Sequence, residues 1–170
     1  PVEPLIDRAP LIAGFDFAHF GRAPARFDEA ELAGVNAKIV HQLPHAAVRD
    51  RLPDGMSEAA WEAIRPNLER VADAADWWAV VEGPIAAAVD PEDRAYLIEA
   101  ATAAAGIDWS ADPWHALTAA LKDRSGRKGK PLFLPLRRAL TGRDHGPDMA
   151  ALLPLIGRER AIERLRSAAD

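Results

Sequence analysis

The sequence contains no cysteine in its 170 residues. That excludes a disulfide framework, a thiolate metal site and a thiol nucleophile. It fits a reducing compartment, and the expected location is the cytoplasm. No apolar run approaches the ~20 residues that cross a bilayer; the longest, such as Trp77–Val81 and Ile85–Val89, span a few residues, so no membrane partner is expected. The N-terminus lacks a basic region followed by an apolar core and does not read as a secretory signal. It begins at Pro1 rather than Met, as expected of a fragment or a processed product. No segment alternates apolar and polar residues long enough for a convincing strand, and no repeat of 20–50 residues is detectable. What remains is an ordinary globular composition, 49% hydrophobic and 28% charged, sufficient for one domain or two small ones with a real core.

The formal net charge of −5 conceals an asymmetry. Residues 1–120 carry 9 Lys and Arg against 20 Asp and Glu, whereas residues 121–170 carry 12 against 6. Between Lys122 and Arg143 eight basic residues face Asp123 alone. Such a split points to a polyanion partner, with the acidic part as a solvating body; a solvated basic loop is the competing explanation.

Helical signals run nearly throughout. Asp28 is a candidate N-cap with Glu29 and Glu31 in the first turn, and Leu32, Val35, Ile39 and Leu43 follow at helical spacing until Pro44. A short helical piece around His45–Leu52 ends at Pro53-Asp54-Gly55. Ser57 caps a helix whose buried face is Trp61, Ile64, Leu68 and Val71, with a break expected at Pro66. Asp90-Pro91-Glu92-Asp93 predicts a helix start that runs to Ala105, with Gly106 as C-cap. Asp112-Pro113 predicts another, with Trp114, Leu117 and Leu121 buried. Ser125–Lys130 reads as loop, then Leu132–Thr141 as a helix ending at Gly142 with Pro135 in its first turn. Pro147-Asp148 begins one more, and Gly157 separates it from the last, Arg158 to Ala168. The result is an all-α chain of two helical clusters with a boundary near Val81–Asp90.

Few constellations suggest catalysis. The carboxylates are scattered, and there is no Gly-x-Ser-x-Gly turn. His41 and His45 have metal-ligand spacing, but Pro44 breaks the helix between them and no third ligand follows, so no metal is expected. Gly129-Lys130 lacks the earlier glycine of a phosphate loop, and Pro131 replaces its Ser or Thr. Gly126-Arg127-Lys128-Gly129 matches the short Gly-x-x-Gly clamp, but the sheet that clamp requires is missing. What stands is a basic loop leading into a helix: Arg127, Lys128 and Lys130 suit phosphates, while Arg137 and Arg138 offer planar guanidinium groups to bases. Of the five tryptophans, helical spacing favours the core for Trp61 and Trp114; Trp77 and Trp78 cannot both face one core.

The segment Leu132-Phe133-Leu134-Pro135-Leu136-Arg137-Arg138-Ala139-Leu140-Thr141-Gly142, together with Leu152 through Leu165, resembles the C-terminus of bacterial glutamyl-tRNA synthetase. Phe15-Asp16, Ala25-Arg26-Phe27-Asp28, Leu32 and Asn36-Ala37-Lys38 resemble that family's stem-contact region, and the alanine-rich style looks alphaproteobacterial. The resemblance implies an all-α fold of two packed helical subdomains forming an anticodon-binding cage, preceded by the end of the stem-contact region. It divides the chain into residues 1–43, 44–88 and 89–170. The family's catalytic signatures, a His-x-Gly-His-like turn and a Lys-x-Ser-Lys-like loop, are absent, so no catalytic residue is assigned and the fragment needs no cofactor. ATP and magnesium belong to the full-length parent, which charges tRNA(Glu). By position, Arg137 corresponds to an anticodon-reading arginine, and Gly146, Pro147 and Met149 to residues packed near anticodon bases. Arg22, Arg26 and Lys38 are candidates for the tRNA stem. Asn67 follows Pro66 where family members restricted to tRNA(Glu) have arginine, a departure that extends the expected substrates to tRNA(Gln). A monomer that binds no DNA is expected. The rival reading is a helical protein-interaction module of the same ancestry that no longer binds RNA.

Overall fold

Side-chain caps set where several helices begin. In the computed structural model, which describes residues 4–19, 21 and 28–170, Asp28 accepts the amides of Ala30 and Glu31 at 2.9 and 3.3 Å. Ser57 accepts that of Ala60, Asp112 that of His115 and Asp148 that of Ala150. Each satisfies donors that the first helical turn leaves free. The described residues contain helices and no strand. They divide into two compact units, Pro1–Ala74 and Ala75–Asp170.

The first unit holds α1 (Arg8–Ala13), α2 (Glu29–Val40), α3 (His45–Val48) and α4 (Glu58–Ile64). Its core is Val40, Val48, Met56, Trp61, Ile64, Leu68 and Val71, so the face expected of α4 and its continuation is the buried one. The helix stops at Ile64, and Arg65–Asn67 tightens into a 3-10 turn around Pro66. The carbonyl of Leu43 receives both the Trp61 indole N–H at 2.8 Å and Arg65 at 2.7 Å. His41 and His45 hold no common site: each ring Nε2 donates to a backbone carbonyl, of Leu68 at 2.9 Å and of Met56 at 3.1 Å. Along the apolar stripe of α2, Leu32 is 53% exposed and Val35 and Ile39 are half-buried, and Val40 is the buried residue of that helix among the described residues.

The second unit holds α5 (Ala74–Glu82, whose first residue closes the preceding unit), α6 (Arg94–Gly106), α7 (Pro113–Ser125), α8 (Lys130–Thr141), α9 (Met149–Ile156) and α10 (Arg158–Ser167). Helix α10 packs chiefly on α6, where Ala100, Ala101, Ala103 and Ala104 allow close approach, and also on α8 and α9. Leu97, Leu117, Leu121, Leu136, Leu140, Leu152, Leu153 and Leu165 complete the core. Three local expectations change. Asp90 makes no cap bond, because Pro91–Asp93 forms a 3-10 turn before α6 and Asp90 instead accepts from Arg138. Gly106 is the last residue of α6 rather than its cap. Helix α8 begins at Lys130, two residues early, which places Pro135 inside it.

Candidate nucleic-acid interface

Helix α7 ends in a glycine cap: Gly126, at φ 68°, donates its amide to the Lys122 carbonyl at 3.0 Å. Gly129, at φ 59°, then starts α8. Between them Arg127 turns inward. It pairs with Asp93, lies 4.2 Å from the centre of the Tyr96 ring, and donates to the Pro131 carbonyl at 3.2 Å. That carbonyl is the one Pro135 would have taken had it an N–H, so Arg127 supplies the donor that the helix lacks. Tyr96 donates to the Leu132 carbonyl at 2.8 Å, and burial pushes its phenol well above the ordinary range. Arg127 therefore holds the loop to α6 and α8, while Lys128 and Lys130 are exposed and enter no ion pair among the described residues.

The adjacent arginines of α8 have different environments. Arg138 is fully engaged, gripping Asp144 through Nε at 2.7 Å and Nη2 at 2.9 Å and reaching Asp90 with Nη1 at 3.1 Å. The hydrogen bonds from Arg138 hold the Asp144 carboxyl below its ordinary pKa, with the fields of His145 and Lys130 adding to the effect. Arg137 donates Nη2 to the Pro147 carbonyl at 3.0 Å. Its Nη1 is buried without a partner. Burial lowers its pKa, and nearby Asp148 opposes that shift. Buried donors are rarely left unmade, since each costs about 1–3 kcal/mol; Arg137 keeps one unmade while its other terminal nitrogen holds the 142–148 loop through Pro147.

That loop is moulded on Trp77. The Arg143 guanidinium lies 4.4 Å from the centre of a Trp77 ring. Gly146, at φ 148°, sits so near the indole that a Cβ would fall 2.0 Å from Cη2. Thr141 Oγ donates to the Arg137 carbonyl at 2.7 Å and accepts the Arg143 amide at 3.2 Å. Pro147 and Met149 are buried, Met149 to 2% exposure. Gly146, Pro147 and Met149 thus shape and anchor the loop, and Pro147 touches Arg137 through its carbonyl.

Sequence reasoning missed Trp77 in this role, and it missed Arg164. Arg164 is 7% exposed and has no carboxylate partner within salt-bridge distance among the described residues. It donates to the carbonyls of Leu140, Val80 and Gly83 at 2.7 Å and of Val81 at 3.2 Å. One guanidinium thereby satisfies the free carbonyl ends of both α8 and α5, and burial lowers its pKa to about 10. The available signal was its position on the Ala161–Leu165 face of α10. For Trp77 no local signal existed.

The remaining candidates lie elsewhere. Asn67 is exposed at the end of the 3-10 turn in the first unit. Lys38 is exposed on α2, whereas Arg22 and Arg26 lie outside the described residues. Among the described residues no three His, Asp or Glu side chains gather as metal ligands. The Gly129-Lys130 turn joins two helices, with Arg127 turned inward rather than framing a phosphate.

Residues 37–169 match the anticodon binding domain family. The chain belongs to that family. Its relatives are more particular: it is 69% identical over its whole length to glutamate–tRNA ligase 1 of Rhizorhabdus wittichii, covering 38% of that protein. It is 67% identical over 99% of its length to glutamate–tRNA ligase 2 of Sphingopyxis alaskensis, again covering 38%. The chain therefore spans little more than a third of these relatives. A glutamate–tRNA ligase from Elizabethkingia meningosepticum, solved in complex with its amino acid, shares the fold at TM-score 0.72 and 21% identity, covering 91% of this chain and 35% of that one.

Proposed function

We propose that this chain is the C-terminal, anticodon-recognising part of a glutamyl-tRNA ligase that attaches glutamate to tRNA(Glu) with ATP and magnesium bound in the part outside this sequence. The observation that carries the reading is the buried, unpartnered Nη1 of Arg137 beside the Pro147 carbonyl. An unstacked RNA base carries acceptors on its edge and would supply the missing partner. Lys128 and Lys130 contact phosphates and position the loop without specifying it. Arg127, Arg138, Gly146, Pro147 and Met149 act on the RNA by holding the surface that Arg137 presents.

Asn67 stands where a resembling, tRNA(Glu)-restricted enzyme has arginine, and its short neutral amide favours acceptance of tRNA(Gln) as well. The protein works as a cytoplasmic monomer. The test is binding of the 170-residue chain to tRNA(Glu) across a salt series, with a tRNA of altered anticodon loop as control. Affinity that falls with salt, and falls again on the altered loop, supports the reading. Equal affinity for both tRNAs leaves only a basic patch. A full-length enzyme that makes no glutamyl product on tRNA(Gln) overturns the wider specificity.

A further inference from the structure

Resting on that reading, we infer that Phe133, backed by Trp114, is a stacking platform for an unpaired loop base next to the one that Arg137 reads. Phe133 is 43% exposed, although the unit around it has a well-filled core. It stands four residues before Arg137 and three after Lys130 on α8. Side chains at those spacings share a helix face, with Cβ atoms about 5–6 Å apart. The stripe therefore reads cation, aromatic ring, cation with an open donor. The adjoining face of α8 is apolar and buried through Leu132, Leu136, Ala139 and Leu140. Trp114, half-buried on α7, lies 6.1 Å from Phe133 between ring centres at 37°. This backing restricts the phenyl ring and leaves its outer surface to solvent.

Single-stranded nucleic acid is bound by this combination: rings take the bases, and cations alongside take the backbone. A protein partner would not need the cations, and the exposed cations Lys128 and Lys130 favour a polyanion. The ring at Phe133 and the open Nη1 of Arg137 serve two different bases, one by its face and the other by its edge.

The experiment uses the whole chain with tRNA(Glu) and with anticodon stem-loops carrying 2-aminopurine at each loop position in turn. Phe133→Ala and Phe133→Leu are expected to weaken binding about 5- to 100-fold with an unchanged salt slope. Phe133→Tyr should retain it. One loop position should show fluorescence quenching on binding that Phe133→Leu removes. Circular dichroism verifies folding, and Phe133→Leu keeps apolar bulk should the alanine variant not fold. If the wild-type chain discriminates the altered loop while Phe133→Leu binds as tightly and quenches as fully, the platform is refuted and the anticodon reading survives. If the wild-type chain does not discriminate loops, the anticodon reading itself fails.

Discussion

Gly146 lies against the indole of Trp77 with no room for a side chain, its missing Cβ position only 2.0 Å from Cη2. The backbone there, at φ 148°, also disfavours any L side chain. Gly146→Ala is therefore expected to destabilise the chain by about 3 kcal/mol, combining overpacking with backbone strain. Urea denaturation measures this. The displaced loop should also lose discrimination between native and altered anticodon loops, because the Pro147 carbonyl that orients Arg137 moves with it.

Arg164 offers a second, purely structural test. Replacing it by Met keeps much of the bulk but leaves the carbonyls of Leu140, Val80 and Gly83 without their side-chain donor, while Val81 keeps Arg160. A loss of about 3 kcal/mol is expected. Arg164→Lys should recover only part of it, since one ammonium cannot span carbonyls that a planar fork reaches together. A Lys variant as stable as wild type would show that charge alone suffices.

Lys128 and Lys130 are expected to act through phosphates. Each alanine substitution should reduce the log–log salt slope of tRNA binding by about 0.7 and weaken native and altered loops alike. Arg137→Ala should instead weaken binding selectively on the native loop. An Arg137 variant that shows only a reduced salt slope would make this arginine another phosphate contact.

Acid should loosen the 142–148 loop. Arg138 holds the Asp144 carboxyl below its ordinary pKa in the folded chain. The unfolded chain therefore takes up that proton first as pH falls. The pair's contribution is whole above the ordinary carboxylate range, about 4, and disappears as pH drops through the lowered value. Wild type should lose stability between about pH 5 and about pH 3 more steeply than Asp144→Asn. Because the pair is exposed, the difference in slope is small. Parallel acid limbs in denaturation curves would count against the pair.

Helix starts and stops were legible because their causes are local. Asp28, Ser57, Asp112 and Asp148 reach amides two or three residues away. Pro66 and Gly142 terminate by their own backbone geometry. The start of α8 was less legible. Pro135 argues for a first-turn position unless another donor takes the carbonyl it leaves open, and Arg127, turned inward by Asp93 from 34 residues away, does so. Asp90 failed as a cap for a related reason: Arg138, 48 residues away, claims its carboxylate. The resemblance pointed to Arg137, Gly146, Pro147 and Met149, but not to the division among them between a side chain with a buried, unpartnered nitrogen and backbone that shapes a loop.

By itself the sequence determined that the chain is helical, where most helices end, which face of α4 and, apart from the half-buried Trp114, which face of α7 carries the core, and that the positive charge gathers after residue 120. Those properties follow from spacing, capping and composition along neighbouring residues. Only the tertiary structure decided which cations are spoken for. Asp93 takes Arg127 across 34 residues, Asp90 helps to take Arg138, and carbonyls more than 80 residues away take Arg164. Arg137 alone among these four keeps a buried nitrogen open. A charge has the same identity wherever it stands in a sequence, but its availability depends on the donors and acceptors that folding brings within about 3 Å of it.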